Sequence, residues 1–273
     1  NRLAHFARPK PLKAPLCELR VTAFRDYLAC PYRFYLKHIC GLEAVGEAAS
    51  EMNGALFGSL LHEVLRDFGS WTVEERKGAS QPAADEIFAK SAELLQRAAH
   101  RQFGRERLAS VEMQLYQIER RLHAFARAQA EQAADGWQVL CVESKLEKYF
   151  NVGSAPFRVY GRTDRIDYHP ELNAFRVLDY KTGDSKKTPE QTHRSGGKGE
   201  KIWCDLQLPL YRQLVPSCAA LAEKELEDAR IEVGYFCLPP QLDQCGVEMA
   251  VWDESDFGEA TARAQLLQYV DAM

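Results

Sequence analysis

The sequence predicts an α/β (α+β) protein whose first half is helical and whose second half contains a β-sheet. In residues 21–135, apolar residues recur at the three- and four-residue spacing of amphipathic helices. From residue 136 the period changes to two, which is typical of half-buried strands. We therefore expect one domain over residues 21–273, with a helical part at 21–135 and a sheet core at 136–273.

The composition is that of an ordinary globular chain, with 273 residues, 46% hydrophobic residues and 27% charged residues. A net charge of −4 gives no global argument for nucleic-acid binding, so such an argument must come from local patches. No apolar run is long enough to span a membrane, and the N-terminus lacks a signal-peptide pattern, so a cytoplasmic location is expected. The proline-rich start predicts that residues 1–20 are a linker or the remnant of a preceding region.

The first helical segments carry two features that bear on function. Residues 21–39 predict a helical hairpin or a kinked helix, and Pro31 is expected to open a second helix. Residues 53–68 predict a longer helix on which Gly58 and His62 share one face, so that another backbone can approach beside the imidazole. An isolated helical histidine is more often a plain surface or core residue, and that alternative stays open for His62.

The remaining elements follow from the same patterns. A helical stretch at 81–134 with breaks near Gly104 and Ser110 precedes three strands of an antiparallel meander. The predicted later elements are strands at 139–150, 157–168 and 175–180, a polar loop at 183–201, a helix at 204–227, strands at 230–238 and 246–252, and a helix at 255–273. The polar loop is either a disordered surface loop or a basic clamp on a phosphate backbone.

Three charged residues on two of these strands form the central candidate site. Asp179 and Lys181 are two positions apart and therefore share a strand face, and a hairpin would bring Asp164 beside them. A hard divalent cation held by such carboxylates, with the Tyr180 carbonyl as a further ligand, can activate water against a phosphodiester. A salt-bridged surface hairpin is the simpler alternative, because Asp-x-Lys alone is common.

Five motifs in order make this pattern specific. They are Cys-Pro-x-x-Phe-Tyr at 30–35, Gly-x-x-x-His at 58–62, Gly-x-x-Asp-Arg-x-Asp at 161–167, Asp-Tyr-Lys-Thr-Gly at 179–183 and Gln-x-x-x-Tyr at 207–211. Together they resemble the PD-(D/E)XK nuclease superfamily, and within it the RecB/AddB-type exonuclease branch.

The resemblance implies a fold, an activity and partners. The fold is a central mixed β-sheet flanked by helices, a restriction-endonuclease-like core with an N-terminal helical elaboration. The activity is that of an Mg²⁺- or Mn²⁺-dependent DNA nuclease, an exonuclease in DNA repair and recombination. Because the chain has no phosphate-binding Gly-x-x-x-x-Gly-Lys-Ser/Thr loop, unwinding of DNA requires a helicase partner or a helicase region of the same full-length chain.

The resemblance also assigns roles to residues. His62, Asp164, Asp179 and the Tyr180 carbonyl are the implied metal ligands, and Lys181 is the implied catalytic lysine. Gln207 and Tyr211 are expected to orient Lys181 or the substrate phosphate. The expected DNA contacts of the polar loop are Lys186, Lys187, Arg194, Lys198 and Lys201.

Two further acids are doubtful as site residues. Asp167 lies three positions from Asp164 on a strand, so it faces the other side and is expected to pair with Arg165 or Arg162. Asp205, just before the Gln-x-x-x-Tyr motif, is left unassigned.

The eight cysteines contain no Cys-x-x-Cys pair. Many relatives hold an iron–sulfur cluster through the Cys-Pro cysteine and three closely spaced late cysteines. Here only Cys237 and Cys245 are late, so no cluster is expected and Cys30 is expected to pack inside the helical hairpin.

The rival reading is a catalytically inactive nuclease-fold module that binds DNA or scaffolds a helicase complex. Inactive copies usually lose a metal ligand or the lysine, and this chain keeps all of them. Polarity, strand preference, endonuclease character and oligomeric state stay open.

Overall fold

The computed structural model describes residues 16–42, 52–76, 81–152, 155–196, 201–224 and 226–266. The helices are α1 (Ala23–Ala29), α2 (Pro31–Phe34), α3 (Gly54–Glu74), α4 (Ala84–Phe103), α5 (Ala109–Ala134), α6 (Pro189–His193), α7 (Gln207–Leu214) and α8 (Glu254–Leu266). The strands are β1 (Glu18–Arg20), β2 (Gln138–Val152), β3 (Ala155–His169), β4 (Ala174–Lys181), β5 (Arg194–Ser195), β6 (Ile202–Trp203), β7 (Arg230–Cys237) and β8 (Gly246–Met249).

A six-stranded mixed sheet forms the centre of the protein. Its strand order is β1-β3-β4-β7-β8, with β2 also paired to β3. The β2–β3, β3–β4 and β7–β8 pairs are antiparallel, whereas β1–β3 and β4–β7 are parallel. The expected antiparallel meander of β2, β3 and β4 and the expected mixed sheet are therefore confirmed.

One edge of β3 is shared by two partner strands, β1 and β4. Along the opposite edge β3 pairs with β2 over nearly its whole length. On the shared edge, Arg158–Tyr160 pairs with β1, and the segment from Arg165 to His169 pairs with β4. Within the described sheet, residues 161–164 pair with neither of these two strands, which leaves an interruption between β1 and β4.

Helices cover both faces of the sheet. The helices α3, α4 and α5 pack on one face, where their apolar stripes enclose Leu178, Tyr180 and Phe236. The other face is covered by α1, α7 and α8, in a core that includes Val177 and Tyr235. Because consecutive strand residues point to opposite faces, neighbours such as Val177 and Leu178 belong to different cores. The same alternation decides which face of the sheet each strand residue of the site points to.

Local signals account for the helix boundaries. The Asn53 side chain caps α3 by accepting a hydrogen bond from the Leu56 N–H at 2.8 Å. Between α4 and α5 the chain turns at Gly104, whose φ of +77° suits glycine. The helix α3 extends beyond the predicted residue 68 to Glu74, because the buried face continues to Gly69.

Two expectations about element boundaries need correction. The predicted helix at 204–227 is the shorter α7, because Pro216 cannot continue it and short 3₁₀ turns follow. The expected loop at 183–201 contains α6, which has a capping box from Thr188 and Gln191. Its His193 is fully buried, so this part of the segment does pack.

Two expectations about the N-terminal region also differ from the structure. Residues 18–20 form β1 and pair with β3, so the expected linker does not extend to residue 20; residues 1–15 lie outside the described part. Cys30 lies at the junction of α1 and α2 as expected, but it is exposed rather than packed within the hairpin. The buried aromatic side chains of this region are those of Phe24 and Phe34 instead.

No helix among the described residues has both the length and the apolar character required to cross a membrane.

Candidate active site

The interruption in the sheet is where Asp164 lies. Backbone pairing between β3 and β4 ends with Arg165 opposite Leu178. Beyond this point, the backbone N–H of Tyr180 needs a hydrogen-bond acceptor other than a β3 carbonyl. The Asp164 carboxylate provides it, because its Oδ2 accepts a hydrogen bond from the Tyr180 N–H at 2.8 Å. A side chain thus replaces backbone pairing at this point, and its carboxylate is anchored beside the end of β4.

Asp179 and Lys181 lie side by side on β4, as their spacing predicts. Lys181 Nζ is 2.6 Å from Asp179 Oδ2, and it also lies 4.5 Å from the centre of the Tyr235 ring. The second oxygen, Asp179 Oδ1, accepts a hydrogen bond from Gln207 Nε2 at 2.7 Å. The Asp179 carboxylate is therefore held from both sides, by β4 itself and by the first residue of α7.

The imidazole of His62 reaches the same point from α3. Its Nδ1 lies 3.6 Å from Asp164 Oδ2, and its ring stands edge-on to the Tyr180 ring at 6.0 Å. A Cβ added at Gly58, one turn earlier, would lie 3.3 Å from Thr182 Oγ1. The glycine therefore lets the end of β4 approach α3 beside the imidazole, as its spacing from His62 predicted.

The surroundings disfavour the charged forms of both Asp164 and His62. Burial and the nearby negative charge of Asp179 raise the pKa of Asp164 to about 7. Burial also lowers the pKa of His62, although Asp179 counteracts this shift. The raised pKa of Asp164 and the lowered pKa of His62 are both consistent with residues that bind a cation.

The side chains of His62, Asp164 and Asp179 have the chemistry of ligands for a divalent metal, although their present arrangement does not form a coordination site. Within the described ranges, no group of three or more His, Cys, Asp or Glu side chains is arranged to hold a metal ion. Both Asp179 oxygens contact donors, and Asp164 accepts a hydrogen bond from the Tyr180 N–H. Two carboxylates and one neutral imidazole nevertheless suit a hard or borderline divalent cation, and such a cation would relieve the repulsion between Asp164 and Asp179.

Gln207 and Tyr211 donate hydrogen bonds to groups other than Lys181, and their expected action on a substrate phosphate stays a prediction. Gln207 holds Asp179 rather than Lys181, and the Tyr211 hydroxyl donates to the Arg162 carbonyl at 2.7 Å. That carbonyl lies in the interrupted part of β3. A Cβ at Gly161 would come within 2.9 Å of Tyr211 Cε1, so the glycine makes room for the ring. Tyr211 thus supports the backbone next to Asp164.

The two doubtful acids have structural partners. Asp167 accepts hydrogen bonds from Arg165 at 2.5 and 2.8 Å in the core, as expected for a residue facing away from Asp164. Asp205 Oδ1 accepts a hydrogen bond from the Gln207 N–H at 2.8 Å, which supports the first turn of α7.

The expected DNA contacts of the basic loop are mostly engaged within the protein. Lys186 pairs with Glu248 at 2.9 Å and Lys201 with Glu190 at 2.6 Å. Arg194 pairs with Asp256 and lies over the Trp203 ring. Lys187 is exposed and pairs with no acid among the described residues, whereas Lys198 lies outside them. The clamp on DNA therefore remains a prediction, and Lys187 is its best-placed described member.

Sequence reasoning missed Glu143, which lies near the site on β2. Its neighbours Val142 and Ser144 pair with Arg165 and Thr163, so Glu143 is level with Asp164 across the strands. Its φ of +49° is unusual for a residue with a side chain. With His62, Arg66 and the small residues that begin α3, it lines an open cleft of about 600 Å³. No local motif marks it, and only the strand register could have found it.

Arg121 on α5 was also missed as a support of the site. Its buried guanidinium donates to the Thr182 carbonyl at 2.7 Å and to the Leu238 carbonyl at 3.1 Å. These carbonyls follow β4 and β7, so Arg121 fixes the end of the strand that carries Asp179 and Lys181. Arg121 is buried, so it is not part of the solvated face that the charged residues of a helix usually form.

Asp164, Asp179, Lys181 and His62 thus meet at an interruption of a mixed sheet. A family model described as the PD-(D/E)XK nuclease superfamily matches residues 18–273, and the chain belongs to that superfamily. The match confirms the restriction-endonuclease-like fold and suggests nuclease activity. Members typically use divalent metals.

Comparisons with individual proteins add little. No curated protein matches the chain. A solved structure titled "Crystal structure of SSO0001" is 14% identical, with 90% of this chain and 84% of that chain covered, at a TM-score of 0.27. A likeness at that level carries no argument.

Proposed function

We propose that this protein is an Mg²⁺- or Mn²⁺-dependent deoxyribonuclease, an exonuclease of the RecB/AddB type. It hydrolyses phosphodiester bonds of DNA in repair and recombination, in the cytoplasm, as the nuclease part of a helicase–nuclease. The helicase is a partner subunit or a region of the same full-length chain. The observation that carries the proposal is the meeting of His62, Asp164, Asp179 and Lys181 at the interrupted edge of β3.

Each residue has a defined role in this proposal. His62, Asp164 and Asp179, with the Tyr180 carbonyl, would hold the cation, which when bound supplies charge neutralisation and an activated water. Gln207 fixes the orientation of Asp179 through the 2.7 Å hydrogen bond. The Lys181 ammonium group is held near Asp179, where it can donate to a phosphoryl oxygen or orient a water molecule. The exposed Lys187 contributes to binding of the DNA backbone.

The test is cleavage of end-labelled single- and double-stranded DNA with MgCl₂ or MnCl₂. We expect Asp179→Ala and Lys181→Ala to reduce the cleavage rate by about 10³-fold or more, since each removes a group acting on the transition state. Lys145→Ala, an exposed lysine on β2, is the matched control and should cleave like the wild type.

Equal cleavage by the wild type and both site variants would refute the assignment of the site. Binding of DNA without cleavage under any divalent cation would favour the inactive scaffolding module instead. Cutting of covalently closed circular DNA would contradict the exonuclease part of the proposal while leaving the site assignment intact.

A further inference from the structure

Two cysteines far apart in the sequence meet outside the candidate active site. Cys141 on β2 and Cys218 after α7 are 77 residues apart, and their Sγ atoms are 3.8 Å apart. Both are free thiols; Cys218 is buried and Cys141 is partly exposed. A disulfide needs an Sγ–Sγ distance of about 2.05 Å, so a shift of roughly 2 Å would join them.

The contact is maintained by the surrounding backbone. The Ser217 hydroxyl accepts a hydrogen bond from the Glu147 N–H at 3.0 Å and donates to the Leu214 carbonyl at 2.7 Å. The Cys218 N–H donates to the Val215 carbonyl at 2.9 Å. The turn that carries Cys218 is thus fastened to β2, the strand that carries Cys141.

We propose that Cys141 and Cys218 are an oxidation site, at which a peroxide such as hydrogen peroxide converts the two thiols into a reversible disulfide. The bond would fasten the segment after α7 to β2. The inference stands independently of the proposed nuclease activity, because neither thiol belongs to that site.

The chemistry balances with hydrogen peroxide as the oxidant. The Cys218 thiolate attacks one peroxide oxygen, the O–O bond breaks, and a sulfenic acid and hydroxide form. The Cys141 sulfur then attacks the Cys218 sulfur, the S–O bond breaks, and the departing hydroxide takes the Cys141 proton as water. Cys218 is the better first nucleophile because hydrogen bonding from Cys141, followed by the N–H groups of Ala220 and Leu221, lowers the pKa of its thiol despite burial.

The experiment uses the folded protein treated with hydrogen peroxide, then blocked with an alkylating reagent and digested with trypsin. Cleavage at the flanking basic residues places Cys141 alone in peptide 128–145 and Cys218 alone in peptide 213–224. We expect these two peptides to appear as one cross-linked species in the monomer fraction, and to separate after reduction with dithiothreitol. Oxidation should also raise the melting temperature by at least about 4 °C.

Variants make the test specific. Cys141→Ser and Cys218→Ala should each abolish the cross-linked peptide, whereas Cys30→Ser, at an exposed cysteine, should leave it in place. Recovery of both peptides fully alkylated and unlinked from the folded, peroxide-treated wild type would overturn the proposal. Equal yields of the cross-link in folded protein and in urea would also overturn it, because the folded geometry would then contribute nothing.

Discussion

Asp164 and Asp167 lie three residues apart on β3, and the fold gives them opposite surroundings. Asp167 is 2% exposed and receives two hydrogen bonds from Arg165, which is 1% exposed. Asp164 has Asp179 as its charged neighbour in the sheet, and the nearest basic group is His62 at 3.6 Å. The Asp167 carboxylate has a counter-charge in Arg165, although burial still raises its pKa, whereas the Asp164 carboxylate keeps an electrostatic cost that a bound cation would remove.

The difference originates in the pairing of β3. Where β3 pairs with β4, the residues facing α5 enter a closed core, and Arg165 there also donates to Gln129 at 2.7 Å. Where that pairing stops, the Asp164 carboxylate accepts the hydrogen bond of the Tyr180 N–H in place of a backbone carbonyl, and it lies near the cleft. The same residue type is therefore paired inside the core on one side of this boundary, and on the other side it lies near the cleft, where we propose that it binds a cation.

The largest expected effect on stability comes from breaking the buried ion pair between Arg165 and Asp167. Asp167→Asn leaves the buried guanidinium of Arg165 without its counter-charge, and we expect the free energy of unfolding to fall by about 3–5 kcal/mol. Urea unfolding followed by circular dichroism measures this change. The double variant Arg165→Met, Asp167→Leu should recover much of the loss, because it removes both charges together.

The control for this prediction is Asp243→Asn, at an exposed aspartate, which should change stability little. An Asp167→Asn protein as stable as the wild type would show that the ion pair is not the structural counterpart of the site.

A smaller effect of opposite sign is expected at Asp164. Because its pKa in the folded state is about 7, above the ordinary value of 3.8, the folded protein binds the proton more tightly than the unfolded chain does. That contribution to stability is fully present below pH 4 and is lost as the pH rises through 7. In metal-free buffer with a chelator, Asp164→Asn should therefore be about 1–2 kcal/mol more stable than the wild type at pH 8.

The gain should shrink to near zero at pH 4, where the wild-type carboxyl group is protonated in the folded state. Urea unfolding at pH 4, 6 and 8 gives the profile, again with Asp243→Asn as the reference. A destabilised Asp164→Asn protein at pH 8 would mean that the carboxylate is compensated like Asp167, and the contrast between the two acids would disappear.

Much of this arrangement could be predicted from sequence because it depends on local spacing. The two-residue period placed Asp179 beside Lys181 and placed Asp167 away from Asp164, and the structure confirms both. The four-residue helical spacing predicted the close approach at Gly58 beside His62. The candidate ligands follow from the motifs, and their binding of metal stays a prediction.

The remaining features depend on long-range register, which no local pattern encodes. The interruption of β3 arises because β1 and β4 share one edge, and the pairing of β2 along the other edge places Glu143 level with Asp164. The two carbonyls that Arg121 contacts are 61 and 117 residues away in the sequence, so the periodicity of its helix gives no sign of these contacts. Pro216 was visible in the sequence, but its effect on the predicted helix at 204–227 was missed.

The smallest expected effect concerns the support of the interrupted edge. Tyr211→Phe removes the hydroxyl that donates to the Arg162 carbonyl at 2.7 Å, and we expect the free energy of unfolding to fall by about 1 kcal/mol. Because Tyr211 acts through the backbone beside Asp164, DNA cleavage should fall by about tenfold or less. Tyr149→Phe, at an exposed tyrosine, is the matched control. A hundredfold loss of cleavage without any loss of stability would instead place the hydroxyl on the substrate phosphate.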